Sequence, residues 1–294
     1  MKSIRHILTL VLLCIFSSVS MAVDKKTVTT DELSRQRFLY YFYEAQRLFQ
    51  HAEYQTAYQL FEFCRYMYPD DPVINLYMGD FFFGFKRPSL AVPYYEMSYK
   101  ADPKNEHILE RLEQAYYYTR NTKKALHIQD LIDQRDGYNY YSALQRYHIY
   151  ASVGDVKNAC KQAERYLKED PEDVQFLLLR LQALELMKTP QKKLKQAYEQ
   201  ILELDPENLI VMNNYAYFLA THKGDLKIAE DYSRYTIQAQ PDNPVFLDTY
   251  AWILYLRGET QLAQMYIKQA LHISNEQTVP DEVLLHYQII MNSR

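Results

Sequence analysis

The chain has 294 residues, 48% of them apolar and 24% charged, with only 6 Gly and 11 Pro but 29 Tyr. Such a composition excludes a disordered or collagen-like chain and points to a folded protein of one or two domains with few flexible linkers. A formal charge of −4 argues against the basic footprint that nucleic-acid binding requires, so no nucleic-acid partner is expected.

Residues 1–22 carry a basic start in Lys2, Arg5 and His6, then a mostly apolar run from Ile7 to Phe16. Ser17, Ser18, Val19, Ser20, Met21 and Ala22 follow, with Ser20 and Ala22 at cleavage-type positions. This layout predicts a secretory signal peptide cleaved near Ala22, because the apolar run is too short to span a bilayer. The competing reading is a lipoprotein signal using Cys14, for which bulky Leu13 stands where a small residue is expected. Cleavage removes Lys2 and Arg5 and no acid, taking the formal charge from −4 to −6. No later stretch resembles a membrane helix, so no membrane span is expected after cleavage.

Residues 23–37 read as a lead-in, with Thr30 as N-cap and Asp31 and Glu32 as first-turn acids of a helix starting near residue 31. From residue 38 a period appears. Ala57, Ala91, Ala125 and Ala159 are 34 apart, and Leu194, Ala229 and Ala263 continue at 35, 35 and 34. Pro69, Pro103, Pro171, Pro206 and Pro241 keep the same phase, each 12 residues after its small residue, with Gly137 in the skipped slot. A third column precedes the first by 12 or 13 residues: Ala45, Gly79, Glu113, Tyr147, Gln182, Ala216 and Ala251. Four residues beyond the first column stand Phe61, Tyr95, Gln129, Ala163, Tyr198, Ser233 and Ile267.

The columns have a direct physical reading. Small residues let two antiparallel helices approach closely, and the residue four later fills the groove one turn along the same face. Proline lacks an N–H and stops the second helix, while the Asp or Asn after it caps the next. Residues 38–71, 72–105, 106–139, 140–173, 174–208, 209–243 and 244–277 then form seven repeat units. The third and fifth are the weakest, with Glu113, Gln129 and Gly137 in one and Gln182, Leu194 and Thr189-Pro190 in the other. Residues 278–294 form a terminal helix opened by Pro280, Asp281 and Glu282, with Val283, Leu284, Tyr287, Ile290 and Met291 on one face. Such a helix covers the last unit and turns polar groups outward.

Small, aromatic and proline columns at this period resemble the tetratricopeptide-repeat (TPR) family. The similarity is sharpest over residues 209–273, where the blocks Asn214 to Ala220 and Leu247 to Tyr255 look like the late repeats of exported bacterial TPR proteins. The resemblance implies an all-α fold, a right-handed superhelical solenoid of about seven repeats plus a C-terminal capping helix. It also implies that the first helix of each repeat lines a concave groove, where partner segments bind through its fifth, ninth and twelfth positions. The groove candidates are Phe42, Gln46, Asp80, Phe83, Gln114, Tyr117, His148, Asn213, Tyr217, Asp248 and Trp252, with Tyr217 and Trp252 in the best-registered repeats. Rings supply contact area and polar groups orient a peptide backbone. Tyr95, Tyr116 and Tyr150 fall in columns that are core in the family.

One TPR subclass grips a C-terminal carboxylate with basic groove residues. Asn213 matches its asparagine, but Glu110 and Asp248 stand where basic residues are needed, so that activity is not expected. No Ser–His–Asp, Cys–His or nucleophile-elbow arrangement has supporting context, and no enzyme activity or cofactor is expected. Cys64 and Cys160, 96 positions apart, read as inert buried thiols. No CxxC, HxxxH or HExxH spacing suggests a metal site. The expected function is a protein-binding scaffold in the bacterial envelope, periplasmic in the first reading. An outer-membrane-attached assembly factor and a glycan-binding or peptidoglycan-binding module are the alternatives.

Overall fold

The computed structural model of the chain describes residues 30–274 and 280–293. The expected signal segment and Cys14 lie outside these residues. The described residues form fifteen α-helices and no strands, an all-α helical-repeat solenoid. They divide into two units, one running through Thr119 and the other starting at Arg120. Both flanking helices of that division lie within residues 106–139, the weak third repeat of the sequence pattern.

The first unit holds α1 (Thr30–Gln50), α2 (Tyr54–Met67), α3 (Pro72–Gly84), α4 (Pro88–Ala101) and α5 (Glu106–Tyr118). Each helix packs on the one before it. Its core is aromatic, with Phe38, Phe42, Phe61, Ile74 and Met78 buried around Ala45, Ala57 and Cys64. Each such side chain contributes about 1.5–3 kcal/mol by leaving water. Rings meet edge to face, as in Phe42 against Tyr77 with centroids 4.9 Å apart.

The second unit begins with α6 (Thr122–Asp136), α7 (Tyr140–Ser152), α8 (Val156–Tyr166), α9 (Val174–Leu186) and α10 (Gln191–Leu204). It continues with α11 (Leu209–Thr221), α12 (Leu226–Ala239), α13 (Pro244–Leu256), α14 (Thr260–Ile273) and α15 (Asp281–Asn292). Phe176, Leu177, Ile201, Tyr215 and Ala216 anchor the larger core cluster, and Tyr250, Ala251, Ile267 and Ile290 the terminal one.

The turn chemistry follows from single residues. Asp71, Asp173, Asn208 and Asn243 each cap the next helix by accepting a hydrogen bond from a backbone N–H two or three residues on. Such a cap stabilises by about 0.5–2 kcal/mol. Asn105 occupies the same slot before α5, yet its side chain donates to Asp102 at 3.0 Å instead. The alanines of the small column, Ala57, Ala91, Ala125, Ala159, Ala229 and Ala263, are all buried.

Many tyrosines are housed by one recurrent device: the ring packs in the core and the hydroxyl donates to a carboxylate on another helix. Tyr95 donates to Asp80 at 2.7 Å, Tyr116 to Glu96 at 2.6 Å and Tyr215 to Glu199 at 2.9 Å. Tyr198 pairs with Glu185, and Tyr217 with Glu282, in the same way. Tyr95 and Tyr116 are buried and Tyr150 is half-buried against its core cluster.

The terminal helix differs from the pattern expected for it. Its inward stripe is Val283, His286 and Ile290, whereas Leu284 and Leu285 face outward at 40% and 54% exposure. The outer face therefore mixes these two leucines with exposed Asp281, Glu282, Gln288 and Asn292. The reason lies in α13, which offers His286 both an acceptor in Asp248 and a stacking partner in Trp252.

Candidate partner-binding face

In the first unit, α1, α3 and α5 carry the candidate positions. Phe42 is buried in the core and offers no surface. Gln46, Asp80, Phe83, Gln114 and Tyr117 are half-buried. Gln46 and Asp80 meet around a cavity of about 300 Å³, walled by Phe49, Tyr77 and Phe81 and edged by Gln50. Phe83 packs against Tyr118 with centroids 5.5 Å apart and lines a second cavity of about 410 Å³.

Asp80 is held from two sides. Its Oδ1 accepts from the Tyr95 hydroxyl at 2.7 Å and from Arg111 Nε at 3.0 Å. Burial raises its pKa, and the tyrosine hydrogen bond and Arg111 partly offset that rise. The Tyr95 phenol is driven well above its ordinary range by burial first and by Asp80 second.

In the second unit His148 is half-buried on α7, and burial lowers its pKa. Asn213 and Asp248 are buried at 3% and 5% exposure, while Tyr217 and Trp252 are half-buried. Tyr217, Asp248 and Trp252 come together with two residues of α15, whereas the Asn213 side chain reaches only its neighbour Asn214. His286 Nδ1 lies 3.0 Å from both carboxylate oxygens of Asp248, and its ring stacks on Trp252 at 4.2 Å and 15°. The Tyr217 hydroxyl donates to Glu282 Oε1. Burial raises the Asp248 pKa, opposed by the His286 hydrogen bond. The Tyr217 phenol is pushed up by burial and then by Glu282.

Glu282 and His286 were not among the sequence candidates. A signal for them exists: stepping 34 residues from 244 to 278 makes them the fifth and ninth positions of a further first helix. Tyr217 also borders a cleft of about 710 Å³ with Glu185, Lys188, Tyr198, Asn214 and His222. Among the described residues, no three His, Cys, Asp or Glu side chains gather as a metal site, and no helix is long and apolar enough to cross a membrane.

No family model matches the chain. A TPR repeat-containing protein of Pseudomonas aeruginosa is 30% identical over 149 residues, 49% of this chain and 24% of that protein. The chain thus spans about a quarter of the length of that curated relative. Among solved structures, the C-terminal part of a TPR repeat-containing protein from Cytophaga hutchinsonii superposes with a TM-score of 0.63 at 17% identity. That match covers 83% of this chain and 98% of the other. A tetratricopeptide repeat protein from Parabacteroides merdae has a TM-score of 0.49 at 13% identity, covering 87% and 100% of the two chains. In sequence and in fold the chain resembles TPR proteins.

Proposed function

We propose that this TPR-like solenoid is a non-catalytic scaffold of the bacterial cell envelope that binds segments of other proteins along the first helices of its repeats. The observation that carries this reading is the set of half-buried ring, amide and acid side chains at equivalent positions of successive first helices. Gln46 and Asp80 share one aromatic-walled cavity in the first unit, and Tyr217 and Trp252 occupy equivalent positions in the second. Half-buried rings beside polar groups give area and orientation to an extended or helical partner at low entropic cost. Export is supported by the basic, apolar and small-residue layout of residues 1–22.

Two measurements test the reading. Mass spectrometry of the mature protein should find an N-terminus near Val23, and a lipid on Cys14 would replace the periplasmic version by an outer-membrane-attached one. A photo-crosslinker at Gln114 or Asn214, used in native envelopes, should capture protein partners. Trp252→Ala and Tyr217→Ala should abolish capture at Asn214 with helix content retained. Capture unchanged in both variants, or capture of peptidoglycan alone, overturns the proposal.

A further inference from the structure

The fifth and ninth positions of α11, α13 and α15 form two rows. Asn213, Asp248 and Glu282 share the fifth position of three consecutive first helices, spaced by 35 and 34 residues. Tyr217, Trp252 and His286 share the ninth, spaced identically. The first row is made of oxygen acceptors and carries two carboxylates. The second is made of rings that meet at His286, with Tyr217 5.9 Å and Trp252 4.2 Å from it between centroids.

Each acceptor has a distinct state. Asp248 is 5% exposed and receives His286 Nδ1 on both oxygens. Glu282 is exposed and receives only the Tyr217 hydroxyl on Oε1. Asn213 is 3% exposed, its Nδ2 reaches Asn214 Oδ1 at 3.5 Å, and its Oδ1 has no hydrogen-bond partner among the described residues. A buried carbonyl left without a donor is costly, so such an atom marks a place where a donor belongs. No lysine or arginine forms an ion pair with Asp248 or Glu282 among the described residues, whereas the buried Glu230 is paired with both Arg234 and Arg257.

Acceptors that no lysine or arginine pairs, standing beside a row of rings, suit a planar cation. A guanidinium donates in a fork to carboxylate and amide oxygens while its face lies on an aromatic ring. Resting on the reading of this face as a protein-binding one, we propose that the face carrying these two rows on α11, α13 and α15 recognises a basic, arginine-bearing segment of its partner. Glu282 provides the exposed contact, and Asp248 and Asn213 are the buried acceptors at the same register position of the two preceding first helices. The polarity is the reverse of the TPR groove that grips a carboxylate. The acidic balance of the whole chain, −4, draws such a segment in.

The test measures binding of a labelled, end-blocked peptide of four arginines to the full mature chain, with a four-glutamate peptide alongside. The arginine peptide should bind and the glutamate peptide should not. Glu282→Gln should weaken binding roughly ten- to a hundredfold, the scale of one charge-assisted hydrogen bond. Glu203→Gln, which removes the same charge from an exposed site on α10, should change it less than about twofold. Asp248→Asn should weaken binding further, and if that variant loses its helix content Glu282→Gln decides alone. Equal losses in Glu282→Gln and Glu203→Gln, equal binding of both peptides, or no binding of the arginine peptide would overturn the assignment. Those results would leave the scaffold reading to the crosslinking experiment, whose failure would in turn leave the peptide measurement standing.

Discussion

Gly79 of α3 lies against the ring of Tyr95 of α4, so closely that a Cβ built on Gly79 would stand 2.3 Å from Cε1 of that ring. The small column and the aromatic column of the repeat are thus two sides of one helix–helix contact. Tyr95 is fully buried there and donates to Asp80 one residue beyond the glycine. Gly79→Ala should lower stability by about 1–3 kcal/mol through overpacking, despite the roughly 1 kcal/mol that alanine adds to a helix interior. Thermal unfolding measures the loss, and Gly79→Ala combined with Tyr95→Leu should recover part of it. A simple gain of stability in Gly79→Ala would contradict the contact. Ala91, fully buried on α4, should respond to Ala91→Leu with a loss of similar size.

The turn inside each repeat carries a left-handed residue in phase with the repeat. Ala52, Lys86, Arg120, Lys188 and Lys223 have φ between 51° and 63°, and Gly154 and Gly258 stand in the same slots at 77° and 85°. A side chain costs about 1–2 kcal/mol in this region, more than the entropy that glycine restores to the unfolded chain. Lys86→Gly and Lys223→Gly should therefore stabilise by about 0.5 kcal/mol each in chemical denaturation. Lys161→Gly, in the middle of α8, should destabilise by about 1 kcal/mol.

Cys64 and Cys160 are buried and free, and burial pushes both thiols up to about 11. The folded pKa exceeds the unfolded one, so their contribution to stability is fully present below pH 9.0 and is lost as pH rises through about 11. Native protein should not react with a thiol reagent at pH 8, whereas denatured protein should react at both cysteines. Rapid native reaction at either position would show that its burial is only transient.

Asp80 offers a pH test with the same sign. Its folded pKa is raised, chiefly by burial, so its contribution is present below 3.8 and is lost as pH climbs through the raised value. Replacing it by asparagine keeps an acceptor for Tyr95 and removes the titrating group. The fall of stability with pH just above the ordinary carboxylate range should be shallower in Asp80→Asn than in wild type. An unchanged slope would show that the Tyr95 hydrogen bond and Arg111 together offset the burial completely.

Much of the fold was legible because its signals are local. A proline stops a helix by its own stereochemistry, and Asp71, Asn208 and Asn243 cap the next helix within three residues of themselves. The left-handed turn slot was not legible, since five of its seven occupants are alanine, lysine or arginine and only Gly154 and Gly258 betray it. Glu282 and His286 were not legible because the proline column that ends at Pro241 has no counterpart at residue 275, where asparagine stands.

By itself the sequence determined the helical period, the positions of the turns, the small residues that allow close approach and the face of each first helix. All of these arise from interactions within one helix, one turn or one repeated pair. The tertiary structure decided how deep each face is buried and what meets it. Phe42, Asn213 and Asp248 share a register with half-buried Leu76, exposed Glu110 and half-buried Leu144, yet they are closed off. Tyr217, Asp248 and Trp252 acquired Glu282 and His286 as partners only because α15 packs beside α13. Periodicity states which side of a helix points toward its neighbours, but burial and pairing depend on side chains 34 or more residues away.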